Sequence, residues 1–280
     1  MIKKKITKDI LDNYRRSLKM EEKSSATIEK YMRDITTFRE FAGGRKITKE
    51  LAIEFKTHLK DSGYAVNSVN SMIASLNHFL EYLGLKLYKV KNLRTQRKTY
   101  SKEEEELTKE EYERLVNAAE KKPRLSVILQ TICGTGIRVS ELKYFTVEDC
   151  KKGEVTVSCK NKTRTILIPR KLQNVLIEYC KKEKIESGAV FLTRNGKPVN
   201  RSNIWSDMKK LCEAANVPAS KVFPHNLRKL FARTFYKLEK DIAKLADILG
   251  HSHIETTRIY IRTTGAEHRA CIEKMELVTG

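Results

Sequence analysis

Residues 7–19, 26–42, 48–60 and 66–83 each carry apolar side chains at helical spacing, and glycines separate the runs. A chain that starts this way must fold there as packed helices, because an apolar stripe recurring every three to four residues is buried only against another such surface. In the second run the stripe is Ile28, Tyr31, Met32, Ile35, Phe38 and Phe41; the fourth carries Val69, Met72, Ile73, Leu76, Phe79, Leu80 and Leu83. Gly43-Gly44, Ser62-Gly63 and Gly84 provide the stops. The expectation is a compact four-helix bundle at the N-terminus.

From Lys91 to Lys102 the apolar period lapses and Arg94, Arg97 and Lys98 crowd together, which reads as a basic linker. Thr108-Lys109-Glu110-Glu111 then has the pattern of a helix capping box and opens a second domain. The predicted division is a helical domain over 1–95, a linker over 96–107 and a second domain over 108–280. Within the latter, residues 154–159 and 163–168 favour strands and flank a polar turn at Lys160-Asn161-Lys162, predicting a hairpin with lysine at its tip. Ala189-Val190-Phe191-Leu192 before Asn195-Gly196 suggests one more short strand. The fold class is therefore mainly α with a small antiparallel sheet.

The formal charge of +21 is spread over both parts, with 22 basic against 11 acidic residues in 1–100 and 34 against 24 in 101–280. Such a balance favours a polyanionic partner, and Arg94, Arg97 and Lys98 are candidate DNA-binding residues in the linker. No run approaches the ~18 apolar residues of a membrane span, and no apolar signal core follows the basic start, so a cytoplasmic protein with no membrane partner is expected. The six cysteines form no Cys-x-x-Cys pair and read as reduced, packed thiols. No phosphate-binding Gly-x-x-x-x-Gly-Lys loop is present, so nothing points to ATP.

Three short segments carry chemistry. Gly134-Thr135-Gly136-Ile137-Arg138-Val139-Ser140-Glu141-Leu142 holds one arginine, Pro224-His225-Asn226-Leu227-Arg228 a second, and Leu249-Gly250-His251 leads through Thr256-Thr257 to Tyr260. Singly, each residue has an ordinary structural use: Arg138 in an ion pair, His225 and Arg228 as a helix-face pair, Tyr260 in a core. His251, His253 and Glu255 have the chemistry of zinc ligands, but no partnered ligand motif accompanies them.

Taken in order, these segments resemble the boxes of the tyrosine recombinases, the tyrosine-type site-specific integrases. The stretch Gly153 to Lys160 is similar to the family hairpin that presents a catalytic lysine, and the resemblance covers about residues 108–265. It implies a SAM-like core-DNA-binding domain for the N-terminal helices and a mixed α/β catalytic domain for the rest. The turn is one residue shorter than the usual glycine-containing version, which leaves Lys162 as a rival to Lys160. Lys229 stands where the family often has histidine.

The implied reaction is cutting and rejoining of DNA through a 3′-phosphotyrosyl intermediate, with no cofactor, ATP or metal. Tyr260 would be the nucleophile. A phenol of pKa near 10 is only about 0.1% ionised at neutral pH, so attack needs a proton acceptor and cations to hold the developing charge. Arg138 and Arg228 would grip the nonbridging oxygens, Lys160 would protonate the leaving 5′-oxygen, and His225 and His251 would assist. Glu141 reads as a support for an arginine and Asp247 as a helix-surface residue. The implied partners are duplex DNA carrying specific sites, a homotetramer on two duplexes, and an accessory directionality factor. A mobile-element integrase is the expected role, with a chromosome-dimer-resolving recombinase or a catalytically inactive DNA-binding relative as alternatives. The apolar residues of 266–280 are enough for a short amphipathic segment.

Overall fold

The structure is a computed structural model that describes residues 5–94, 100–159, 162–193 and 195–277; Arg97, Lys98 and Lys160 lie outside these. The chain divides into two compact units, 1–97 and 98–280.

The first unit is built from α1 (Lys8–Met20), α2 (Ser25–Ala42), α3 (Lys49–Asp61) and α4 (Val66–Tyr82), within one residue of the runs expected at each end. Thr7, Ser24 and Thr48 cap the first three through their hydroxyls, each satisfying an amide that the helix leaves unpaired. Gly43 ends α2 in the left-handed conformation. The stripes meet as expected: Tyr14, Leu18, Ile35, Phe38, Phe55, Ile73, Leu76 and Phe79 are all buried, with α4 packed on both α2 and α3. Two asparagines on α4 then hold the extended segment that leaves the bundle. Asn77 exchanges hydrogen bonds of 2.8 and 2.9 Å with the Val90 backbone, and Asn70 exchanges 3.0 and 2.7 Å bonds with Leu93. Each side-chain amide thus substitutes for a missing β-ladder partner and leaves the neighbouring Arg94 exposed.

The second unit contains α5 (Lys109–Ala118), α6 (Pro123–Thr135), α7 (Val147–Lys152), β1 (Glu154–Cys159), β2 (Lys162–Leu167), α8 (Arg170–Lys182), α9 (Arg201–Lys209), α10 (Pro224–Glu239), α11 (Ile242–Leu249), α12 (Ile254–Tyr260) and α13 (Gly265–Glu273). The capping box at Thr108 and Glu111 forms in both directions. Helix α6 is central, touching α5, α8, α9 and α10, and its Leu129 and Ile132 are fully buried. The β-hairpin pairs Cys159 with Lys162, so the second strand starts a residue earlier than expected. The strand expected at 189–192 does not form. Instead Ala189 bridges Thr146 and Leu192 bridges Pro198 singly, because the segment passes Phe145 and then folds back on itself through Thr193 and Lys197. Among the described residues no helix is long and apolar enough to cross a membrane.

Beyond α12 the chain makes a short parallel bridge between Thr264 and Ser101 before entering α13. Glu267 caps α13 through the Thr264 amide and also pairs with Arg233 at 3.0 Å and Lys237 at 3.3 Å on α10. The tail forms α13, but none of that helix is buried, and Ile272 on it and Met275 and Leu277 beyond it are exposed, so the expected amphipathic segment has no covered apolar face.

Candidate active site

Two left-handed glycine turns place the site. Gly136 ends α6 at φ +65°, and a Cβ there would lie 2.3 Å from the Phe231 ring on α10. The missing side chain lets the two helices close, and the chain continues through buried Ile137 to Arg138 in extended conformation. A 3₁₀ turn over Val139–Tyr144 follows, held by Glu141, whose Oε2 accepts the Arg138 amide at 2.8 Å. Gly250 does the same for α11 at φ +63° and delivers His251. His225 sits in the first turn of α10, after Pro224 at its start, with Arg228 one turn later. Tyr260 is the last residue of α12.

These turns bring the five described candidates together. Tyr260, 8% exposed, lies between two imidazoles, with ring centroids 4.9 Å from His225 and 5.0 Å from His251. The Arg228 guanidinium carbon is 5.8 Å from the tyrosine ring centre. Arg138, His225, Arg228 and Tyr260 line one cleft of 640 Å³, together with Arg201 and Trp205 of α9.

Arg228 is 1% exposed and serves as the tie between the boxes. Its Nη1 donates to the Gly136 carbonyl, and Nη2 donates to the Leu249 carbonyl at 2.7 Å and to His251 Nε2 at 3.0 Å. Both Nη2 hydrogens are committed inside the protein, so what Arg228 can offer an anion is Nε, which is buried without a partner, and the remaining Nη1 hydrogen. Burial first, and then the Arg138 charge, push its pKa down to about 10, which leaves it cationic at neutral pH.

Because Arg228 donates to His251 Nε2, that nitrogen is an acceptor and Nδ1 carries the hydrogen, given to Thr257 Oγ1 at 2.9 Å. Burial, then Arg228 and Arg138, push the His251 pKa down from 6.5 to about 4. His225 is lowered as well, by burial first and then by Lys229, Arg228, Arg201 and Arg138. Both rings are neutral bases at pH 7 in the folded protein. The unfolded chain therefore binds protons in a range where the folded one does not, and stability falls as pH drops from about 6.5 towards 4. With its part exposure to solvent allowed for, His251 contributes about 1–2 kcal/mol of that loss. Urea unfolding at pH 7 and pH 5 should show the drop in the parent and a smaller drop in His251→Gln; equal drops would contradict the neutral-ring assignment.

Glu141 does orient an arginine, as expected, but it serves two. Burial works against its ionisation, yet hydrogen bonds from Arg164 and from the Arg138 backbone outweigh this and hold its pKa below the ordinary carboxylate value. Arg164 on β2 is absent from the sequence reading. Its signal is positional: it shares the inward face of the strand with Ile166, where an arginine needs a buried partner. Arg201 and Trp205 were likewise not singled out; Trp205 is the chain's single tryptophan and is 49% exposed at the mouth of the cleft. Lys229 turns away to Glu106 at 3.2 Å, a buried carboxylate that also holds Arg233 at 3.3 Å. Asp247 is exposed on α11. Among the described residues, no group of three His, Cys, Asp or Glu side chains is placed to hold a metal ion.

The site is a cationic cleft around a largely buried tyrosine with two neutral imidazoles against its ring. The sequence profile of the phage integrase family matches residues 105–267, which contain all of it. The chain belongs to this family, the tyrosine recombinases. A second profile, the N-terminal SAM-like domain of phage integrases, matches residues 11–86. The recombinase is 30% identical to tyrosine recombinase XerA of Pyrococcus furiosus, over 99% of this chain and 98% of the archaeal protein. It is 27% identical to tyrosine recombinase XerD of Halalkalibacterium halodurans, over 88% and 90% of the two chains. Its fold is similar to that of a lambda integrase fragment solved as a dimer bound to a COC′ core site, with a TM-score of 0.73 at 20% identity, covering 92% of this chain and 96% of the integrase. The recombinase is thus a tyrosine-type site-specific recombinase, mainly α with a two-stranded antiparallel sheet.

Proposed function

We propose that the recombinase breaks and rejoins duplex DNA at specific sites by forming a 3′-phosphotyrosyl bond at Tyr260. The observation that supports this most directly is the placing of the Tyr260 ring between two neutral imidazoles in a cleft lined by Arg138 and Arg228. The phenol oxygen attacks phosphorus and the bond to the 5′-oxygen breaks. His225, neutral and against the tyrosine ring, is placed to take the phenol proton. Lys160, with Lys162 as its rival at the other end of the hairpin turn, gives a proton to the leaving oxygen. Arg138 holds the phosphate charge from the open side of the cleft and Arg228 from its buried wall. His251, with both ring nitrogens engaged, positions Arg228 and the end of α12.

Because the phosphotyrosyl bond keeps the energy of the broken phosphodiester, a 5′-hydroxyl from a second duplex reseals it without ATP. An N-terminal domain over 1–95 would supply the second DNA-binding surface, joined by a linker over 96–107, with Arg94 just before the linker and Arg97 and Lys98 within it as backbone contacts. A lambda integrase of similar fold was solved as a tetramer bound to a Holliday junction, and four protomers on two duplexes is the assembly proposed for strand exchange here. An accessory factor would set its direction, and its place of work is the cytoplasm. On biological role, the reading is an integrase for a mobile element, with a chromosome-dimer-resolving recombinase as the alternative.

The test is strand exchange between two duplexes carrying the same site, in EDTA and without ATP. Recombinant duplexes are the expected result. DNA cleavage that stops on chelation would overturn the proposal.

A further inference from the structure

The Glu141 carboxylate is 1% exposed and takes four hydrogen bonds from two arginines. Arg138 gives its backbone amide to Oε2 at 2.8 Å and one guanidinium nitrogen, Nη1, to Oε1 at 3.1 Å. Arg164 gives the two-pronged pairing, Nη1 to Oε1 at 2.9 Å and Nη2 to Oε2 at 2.8 Å. The planar fork is the strongest geometry a carboxylate can receive, so Arg164, not Arg138, is the principal counter-ion. Charge counting then leaves one uncompensated guanidinium in the triad. Arg138 is the one that lines the cleft, whereas Arg164 is not among the lining residues and its side chain is 15% exposed.

Arg164 also touches the turn that delivers His251. A Cβ at Gly250 would lie 2.7 Å from Arg164 Nη1 and 2.9 Å from its Cδ, so the absent side chain of Gly250 is what admits the guanidinium. The Gly250 carbonyl in turn accepts from Arg138 Nη2 at 3.2 Å. In the hairpin, Arg164 lies opposite Val157, whose side chain is fully buried. One arginine on β2 therefore braces both the first arginine box and the histidine turn.

We infer that Arg164 is a positioning residue for DNA cleavage: by acting as counter-ion to Glu141, it leaves the Arg138 charge and donors available to the scissile phosphate. This rests on the reading of Arg138 as a phosphate-binding residue. Without Arg164, the buried carboxylate would draw the Arg138 guanidinium into its own two-pronged pair, since a desolvated charge left without a partner is strongly unfavourable. Arg138 would then be folded in place but electrically spent.

The experiment measures single-turnover cleavage of a nicked suicide duplex by the parent, R164Q, E141Q/R164Q and R138A. Each acts on a duplex with an ordinary scissile phosphate and on one with a methylphosphonate there, which lacks an anionic oxygen and so needs less from Arg138. R164Q should cleave the ordinary duplex at least about thirtyfold more slowly than the parent, with DNA affinity within about threefold. On the methylphosphonate its deficit should shrink to under about fivefold. Removing the carboxylate as well, in E141Q/R164Q, should return part of the rate by releasing Arg138. Equal deficits of R164Q on both duplexes, or a double variant as slow as the single one, would overturn the inference. R138A separates the two levels: if its own deficit is the same on both duplexes, the phosphate-binding reading of Arg138 has failed, whatever Arg164 does. Should R164Q not fold, R164K gives the same comparison, because it keeps the charge while losing the fork, and its smaller deficit should again shrink on the methylphosphonate.

Discussion

Tyr260→Phe should abolish covalent capture of DNA, by about 10⁵-fold or more, while affinity for the site stays within about twofold. The size follows from what is removed. Phenylalanine keeps the ring that packs against His225, His251 and the Arg228 guanidinium, so the cleft retains its shape and charge. Only the oxygen proposed to attack is lost, and His251, with both ring nitrogens engaged, is no substitute for it. Thermal unfolding should shift little, since one hydroxyl is worth about 1 kcal/mol. Covalent adduct at parental levels in the variant would move the nucleophile elsewhere and leave Tyr260 as packing.

Arg228→Lys should lower both stability and cleavage, and the two losses have different sources. Arg228 closes the carbonyl ends of two helices, at Gly136 after α6 and at Leu249 within α11, and fixes His251 as well. A lysine ammonium reaches as a single point and cannot span these acceptors, so at least one buried carbonyl loses its donor. That costs about 2–3 kcal/mol of stability, read as a lower urea midpoint with an unchanged slope. Cleavage should fall by about 10²–10³-fold, the usual scale for losing a preorganised donor beside a transition-state anion. A variant that cleaves within about threefold of the parent would show that the charge alone matters and that the tie between the boxes does not.

Much of this is legible in the sequence alone. The four N-terminal helices follow from stripes that have no other way to be buried, and the capping box at Thr108 marks the start of α5. The hairpin followed from two β-favouring runs around a polar turn: the first strand has the expected limits, and the second moved by one residue because register is set by pairing rather than by composition. The three chemical boxes were legible because each is a short continuous stretch of sequence.

What escaped the reading depends on contacts far apart in sequence. Arg164 meets Glu141 across 23 residues, and only the inward register of β2 would have marked it. Arg201 and Trp205 reach the cleft because α9 packs on α6, which no local pattern announces. The occupation of Arg228 by backbone carbonyls follows from two glycine turns whose partners lie 92 and 21 residues away. At 189–192 the β-favouring residues were present but lacked a partner strand, and pairing is what makes a strand.

The measurement that tests the central claim most directly is the identity of the residue joined to DNA. The parent protein would be incubated in EDTA with a nicked suicide duplex carrying its site, and the adduct digested and mapped by mass spectrometry. The account predicts a single modified peptide with the nucleotide on Tyr260, joined through the 3′-phosphate. An adduct on another residue, or tight binding to a verified site with no adduct at all, would contradict it.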